Sequence, residues 1–109
     1  MAYIKNIEQD TVLSLAGQVE AQPGQIVSRT LAQNRAVSVT LFAFAQGEEI
    51  STHDSIGDAM VTVLEGTGRF TVGGEVFLVS QGETLIMPKD IPQAVYGQER
   101  FKMLLTVSF

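Results

Sequence analysis

The sequence contains no cysteine and no tryptophan, and only one of its 109 residues is a histidine. The lack of cysteine excludes disulfides, thiolate zinc sites, iron–sulfur clusters and cysteine nucleophiles. Basic residues are also few, because seven Lys and Arg stand against twelve Asp and Glu, for a formal net charge of −5. Nucleic acid and anionic membranes are bound through basic patches, so this balance argues against both as partners.

Long apolar runs are missing as well. No stretch approaches the roughly 20 residues that a membrane-spanning helix needs. Residues 1–6 do not combine a basic start with a following apolar region, which is the pattern of a secretory signal. We therefore expect a cytoplasmic protein. An apolar fraction of 45% and a charged fraction of 17% are typical of a folded globular chain, and the length predicts a single domain over residues 1–109.

Short strands dominate the pattern after an N-terminal arm, residues 1–24. In the arm, Asp10, an apolar run and Gly17 indicate a short capped helical turn with a glycine stop. The β-rich segments that follow are 25–32, 37–44, 50–53, 60–64, 69–72, 75–79, 84–87, 94–96 and 101–109. Gly73-Gly74 predicts a two-residue hairpin turn. Many short strands separated by turns indicate an all-β sandwich or closed barrel, with a core barrel over about residues 25–109.

Two stretches resemble the paired motifs of the cupin superfamily. His53 follows Gly47 after five residues and Gly66 closes the first motif, while Pro88 follows Gly82 after five residues in the second. The resemblance covers roughly residues 37–107 and implies a double-stranded β-helix, the jelly-roll-like barrel of small single-domain cupins. It also implies a homodimer, with the 37–45 run or the C-terminal strand as candidates for the shared surface.

The metal-ligand positions of the motif are mostly altered. On the family's pattern, the four ligands fall at His53, Ser55, Ala59 and Gln93. Strand alternation predicts that the nearby Asp54 and Asp58 point away from the face of His53. One imidazole with neutral oxygens is a weak donor set for a transition metal. We therefore expect no cofactor; if a divalent transition metal is bound, its ligands are His53 and Gln93.

The barrel interior is expected to be largely apolar. Val61, Val63 and Val95 share strand parity with the ligand positions and should point inward with His53 and Gln93. Apolar walls with a few neutral polar groups are typical of a small-molecule pocket, although small barrels also pack solid. The predicted ligand-binding residues are His53, Ser55, Gln93, Val61, Val63 and Val95. A further apolar set is predicted to be structural: Phe42, Phe44, Phe101 and Met103.

Two functional interpretations follow, from different classes. The preferred one is a cupin-type protein that binds a small molecule through His53, Ser55 and Gln93, its metal site mostly lost. The alternative is a metal-dependent cupin enzyme of the isomerase or dioxygenase type that uses His53 as a residual ligand. A purely structural role, with His53 an inherited polar residue, is a third and weaker interpretation.

Overall fold

The computed structural model describes residues 3–109, which fold almost entirely into β-strands. The strands are β1 Ile26–Gln33, β2 Val37–Phe44, β3 Glu49–His53, β4 Asp58–Glu65, β5 Thr67–Val72, β6 Glu75–Ser80, β7 Thr84–Met87, β8 Gln93–Tyr96 and β9 Phe101–Ser108. The all-β prediction is confirmed, and every predicted strand lies within two residues of the observed one. Over residues 3–109, no helix has the length and apolar character needed to span a bilayer.

The strands form two sheets whose neighbours pair antiparallel. One sheet has five strands in the order β1-β2-β9-β4-β7, and the other has four in the order β3-β8-β5-β6. The crossovers between the sheets, such as β2 to β3 and β8 to β9, wind the chain into the double-stranded β-helix that the motifs implied. That prediction is confirmed.

The facing sides of the two sheets bury a core rich in aromatic rings. Phe44 stacks on Phe101 with ring centroids 4.7 Å apart, and Phe70 meets Phe101 edge-on at 6.0 Å. Aromatic pairs in these geometries add to the stabilisation that comes from burying their area. The buried members of this core are Phe44, Ala59, Val61, Val63, Phe70, Val79, Met87, Val95, Phe101 and Met103. The predicted structural set lies within this core or, for Phe42, against it.

The N-terminal arm covers the outer side of the five-stranded sheet. Val19 of the arm joins the buried Leu41 and Ala43 of β2 in a second apolar cluster. Lys102 on β9 secures this contact, because its Nζ donates to the carbonyl oxygen of Ala16 at 2.7 Å. The side chain of Lys102 is 7% exposed and also lies 3.4 Å from the carboxylate of Glu20. The outward face of β2, one of the two candidate dimer surfaces, is therefore covered by the chain's own arm.

The helical turn of the arm lies later in the chain than predicted. It is a single 3₁₀ turn, Ala16–Gln18, so Gly17 stands inside it and does not stop it. Asp10 has a φ of 55°, which right-handed helices exclude, and no side chain caps the turn. The prediction of a turn that begins at Asp10 was therefore wrong in its position. The turn forms where the arm meets β9, since Lys102 binds the carbonyl oxygen of its first residue.

The Gly73-Gly74 hairpin is confirmed between β5 and β6. The two residues have φ values of 57° and 88°, the left-handed region that a two-residue turn of this kind requires. A Cβ at Gly74 would meet no atom within 4 Å. Backbone conformation, and not space, therefore selects glycine at that position.

Candidate functional site

A cavity of about 300 Å³ opens at one end of the barrel. It lies where β2, β4 and β8 begin and where β3 and β9 end. Its polar lining is Ser38, His53, Asp54, Ser55 and Gln93, and its apolar lining is Ile56, Ala59, Leu105, Val107 and Phe109. The phenylalanine core fills the opposite end of the strands. The barrel is therefore open at the cavity end and solidly packed at the other end.

A β-bulge places His53 beside the cavity. Ile50 pairs with Val95 and His53 pairs with Gln93, so three steps along β3 match two along β8. The extra residue is a bulge, which changes the side to which the following residue points. Ile50 packs against the core, and His53 lines the cavity together with Gln93. The predicted convergence of His53 and Gln93 depends on this irregularity in β3.

The imidazole of His53 is held by the backbone of its own strand. Its Nδ1 lies 2.9 Å from the carbonyl oxygen of Ser51. A carbonyl only accepts, so Nδ1 carries the hydrogen and donates it. In the neutral ring the lone pair is then on Nε2. His53 is exposed to solvent, and it offers a ligand an acceptor on a ring whose orientation is already fixed.

Gln93 is the most unusual polar residue of the site. It is 4% exposed, and its Nε2 has no hydrogen-bond partner among the residues that the structure describes. Buried polar groups are almost always paired, and leaving a donor unpaired costs about 1–3 kcal/mol. Since Gln93 lines the cavity, a small rotation of its amide would bring this buried donor to an acceptor on a bound molecule.

Ser55 and Asp54 complete the polar wall. The Oγ of half-buried Ser55 accepts from the backbone N of Gly57 at 3.3 Å, which leaves its hydroxyl hydrogen to donate. Asp54 lines the same cavity as His53. Alternation does not hold there because β3 ends at His53. Asp58 is engaged elsewhere, since its Oδ1 accepts from the backbone N of Lys89 at 2.8 Å.

The rim segment, residues 56–57 between Ser55 and the start of β4, packs tightly against the end of β9. A Cβ added at Gly57 would collide with the carbonyl oxygen of Ser108 and lie 3.0 Å from Cδ1 of Phe109. The backbone N of Phe109 donates to the carbonyl oxygen of Ala36 at 3.0 Å. These two contacts hold the Phe109 ring at the cavity mouth.

Several wall residues were missed from the sequence. Leu105, Val107 and Phe109 share alternation with Phe101 and Met103, whose side chains fill the core. That parity along β9 was a usable signal for the apolar wall. Ser38 shares alternation along β2 with Phe44 and Phe42, which lie in the core or against it, so parity was a usable signal there too.

The three valines that strand alternation assigned to the ligand site lie deeper in the barrel than the cavity wall. Val61, Val63 and Val95 are buried in the core, and none of them lines the cavity. Val61 pairs across strands with Leu105, which does line the cavity. Val95 stands two residues beyond Gln93 on the same face of β8. The valines therefore support the cavity from beneath, and their contact with a ligand stays a prediction.

The residues present do not fit a tightly held metal ion. All four positions that carry ligands in the family motif line this one cavity, but they hold an imidazole, a hydroxyl, a methyl group and an amide. Over the described residues, no three side chains of His, Cys, Asp or Glu come together in a group that could bind a metal. The buried amide nitrogen of Gln93 presents hydrogens, which a cation repels. We derive no chemical step through a metal.

Known proteins share this sequence pattern and fold. The family model described as "Cupin domain" matches residues 40–107. A conserved protein of unknown function from Streptococcus pyogenes is 44% identical over 99% of this chain and 95% of its own, with a TM-score of 0.97. A cupin superfamily protein from Desulfitobacterium hafniense is 33% identical over 99% of both chains, with a TM-score of 0.94.

One enzyme of known reaction has the same fold at low identity. Salicylate 1,2-dioxygenase from Pseudoaminobacter salicylatoxidans, in adducts with gentisate, is 16% identical over 85% of this chain and 27% of that chain, with a TM-score of 0.72. This likeness shows the fold alone. The search of curated proteins finds no match.

Proposed function

Because the chain belongs to the cupin family, we propose that the cavity at its barrel end binds a small organic molecule without the help of a metal. The observation that carries this proposal is Gln93, which lines the cavity and whose buried Nε2 has no partner among the described residues. A ligand acceptor at that atom would remove a cost of about 1–3 kcal/mol that the protein bears alone.

The other polar groups of the wall support the same proposal. His53 offers Nε2 as an acceptor, and Ser55 offers a hydroxyl hydrogen, both on the cavity that Gln93 lines. Apolar walls with a few placed polar groups are typical of ligand sites, and the volume suits a compact molecule. His53, Ser55 and Gln93 are the proposed polar contacts, with the layer of Val61, Val63 and Val95 beneath them.

A thermal-shift screen with a matched pair of variants tests the proposal. A ligand that binds only the folded chain raises the melting temperature by mass action. We expect a small-molecule hit whose shift is lost in Gln93→Leu and kept in Gln98→Leu, since Gln98 is an exposed glutamine outside the cavity. Hits whose shift in melting temperature is unchanged in Gln93→Leu would place binding elsewhere. A diverse screen with no hit would count against the proposal.

The alternative is a metal-dependent cupin enzyme of the isomerase or dioxygenase type, with His53 and Gln93 as ligands. The fold it shares with salicylate 1,2-dioxygenase is compatible with this role but does not favour it. Elemental analysis of the purified chain beside His53→Ala separates the two. Stoichiometric metal that disappears in the variant would favour the enzyme, and its absence after incubation with iron, manganese, nickel and zinc would favour metal-free binding.

We also propose that the chain forms a homodimer, as its resemblance to small cupins implies. Support comes from Met60 and Ile86, which are cross-strand partners on β4 and β7 and are 42% and 53% exposed. Adjacent exposed apolar side chains on neighbouring strands offer a surface that a second copy could cover. Sedimentation velocity tests the proposal: a dimer that dissociates in Met60→Lys would support it, and a monomeric wild-type chain would refute it.

A further inference from the structure

We propose that the ligand of this cavity is an uncharged molecule that presents a carboxamide or lactam group, and that the site rejects the matching carboxylate. The inference rests on the proposed function, because it names the chemical class that the same cavity selects. It is carried by the charges of the cavity wall and by the direction of its hydrogen-bonding groups.

Among the residues that the structure describes, the wall holds a negative charge and no lysine or arginine charge. Asp54 lines the cavity, whereas neither lysine nor arginine is among its lining residues. The basic residues nearest in the chain to lining residues are Arg35, Lys102 and Lys89. Lys102 is engaged with the carbonyl of Ala16 in the N-terminal arm, and the backbone N of Lys89 binds Asp58. An anion that enters such a site loses water without gaining a counter-charge, and burial of an unpaired charge is costly. Carboxylates and phosphates are therefore disfavoured.

The hydrogen-bonding groups of the wall include both donors and an acceptor. Ser55 presents a hydroxyl hydrogen, and the Nδ1–H bond to Ser51 leaves Nε2 of His53 as an acceptor. The buried Nε2 of Gln93 adds a second donor once its amide turns toward the cavity. A carboxamide carries both complementary groups, since its oxygen accepts and its N–H donates. A carboxylate carries acceptors only, so it would face the lone pair of His53 and the charge of Asp54.

The facing positions of His53 and Gln93 match this pairing. The two residues are direct cross-strand partners on β3 and β8 and both line the cavity, so the ring of His53 neighbours the amide of Gln93. An amide oxygen that accepts from Gln93 would leave its own N–H on the side of His53. A primary amide carries its acceptor oxygen and its N–H donors on adjacent atoms, so a neighbouring donor and acceptor on the protein can bind both at once.

The remaining wall sets the shape of the molecule. Leu105, Val107 and Phe109 form an apolar side, and about 300 Å³ lies at the lower end of the volumes of ligand pockets. One ring or a short branched chain attached to the amide fits these limits. Benzamide, nicotinamide and cinnamamide are suitable probes, and their carboxylates are matched controls of nearly the same shape.

Calorimetric titration of the wild-type chain with these three pairs at neutral pH tests the inference. We expect at least one amide to bind and its carboxylate to bind at least about tenfold more weakly, which corresponds to about 1.4 kcal/mol. Gln93→Leu should weaken the amide by a similar factor. Asp54→Asn should narrow the difference within the pair by strengthening the carboxylate. Lys89→Gln should change neither affinity, since its side chain does not line the cavity.

Each outcome bears on the inference separately from the proposed function. A carboxylate that binds as tightly as its amide, with both weakened by Gln93→Leu, would overturn the ligand class and leave the binding cavity standing. Binding of none of the six probes would also overturn the inference. The proposed function falls only if the diverse thermal-shift screen finds no ligand sensitive to Gln93→Leu.

Discussion

Gln93 lies directly across from His53 in the β3–β8 pair. Its buried amide nitrogen has no partner within residues 3–109, and it stands opposite an exposed ring that the backbone holds. The two residues do not play equal parts. Because His53 is exposed, its ring can hydrogen-bond to water when no ligand is bound, at little cost in free energy. Gln93 is buried, so its donor stays unsatisfied until another molecule reaches it.

Gln93→Leu should increase the stability of the ligand-free chain. Leucine is one atom shorter than glutamine, but it fills the site with apolar atoms and removes a buried donor that has no partner among the described residues. We expect the free energy of unfolding to rise by about 1 kcal/mol in urea titrations. Gln98→Leu, at an exposed position, is the control and should change stability by less than about 0.5 kcal/mol. A loss of stability in Gln93→Leu alone would mean that the amide has a structural role in the empty protein.

Gly57→Ala should destabilise the fold and disturb the cavity mouth. The added Cβ would collide with the backbone oxygen of Ser108, so β9 or the rim segment must shift. Overpacking of this kind costs about 1–3 kcal/mol. Gly17→Ala is the matched control, because a Cβ there would meet its nearest atom only at 3.8 Å. Equal unfolding free energies for Gly57→Ala and wild type would contradict the close approach of the two segments.

Lys102→Met should loosen the N-terminal arm. The substitution removes the 2.7 Å hydrogen bond to the carbonyl of Ala16, and a bond to a charged donor is worth about 1.5–3 kcal/mol. Hydrogen exchange should become faster in the arm before it does in the core strands. Glu20→Gln and Glu65→Gln should each cost less than about 1 kcal/mol, because both carboxylates are more than half exposed. Unchanged exchange in the arm would show that apolar contacts alone hold it.

Restoring the family ligands should create a metal site in this backbone. The positions Ser55, Ala59 and Gln93 line one cavity with His53. The triple variant Ser55→His, Ala59→Glu, Gln93→His would supply three imidazoles and a carboxylate, a set suited to divalent iron, manganese or zinc. We expect elemental analysis to find about one metal per chain in the variant. A metal-free variant that still folds would show that the cavity geometry has diverged along with its residues.

Strand positions were predictable because β-branched runs and glycine turns mark them locally. The segment Val37–Phe44, for example, was read correctly at both ends. The Asp10 turn was misplaced because local capping signals gave way to a tertiary contact, the bond from Lys102 to Ala16. No local sequence pattern predicts that a lysine side chain will bind a segment more than eighty residues away in the sequence.

The candidate site was only partly predictable, for reasons of geometry. Motif spacing brought His53, Ser55 and Gln93 together correctly, because the barrel frame fixes those positions. Parity then assigned Val61 and Val95 to the same wall, but parity gives the face of a residue and not its depth along the barrel. The end of β3 after His53 also freed Asp54 from alternation, and sequence gives strand ends least reliably.

The extra residue between Ile50 and His53 makes the site depend on chain length as well as on residue identity. A substitution at Ser51 or Thr52 leaves unchanged the face of the sheet to which His53 points. Deletion of one of them would turn His53 to the opposite face. Insertions and deletions in this short strand are therefore the changes that most abruptly separate relatives with this site from relatives without it. In comparing such relatives, a gap at these two positions is more informative than the presence of the histidine.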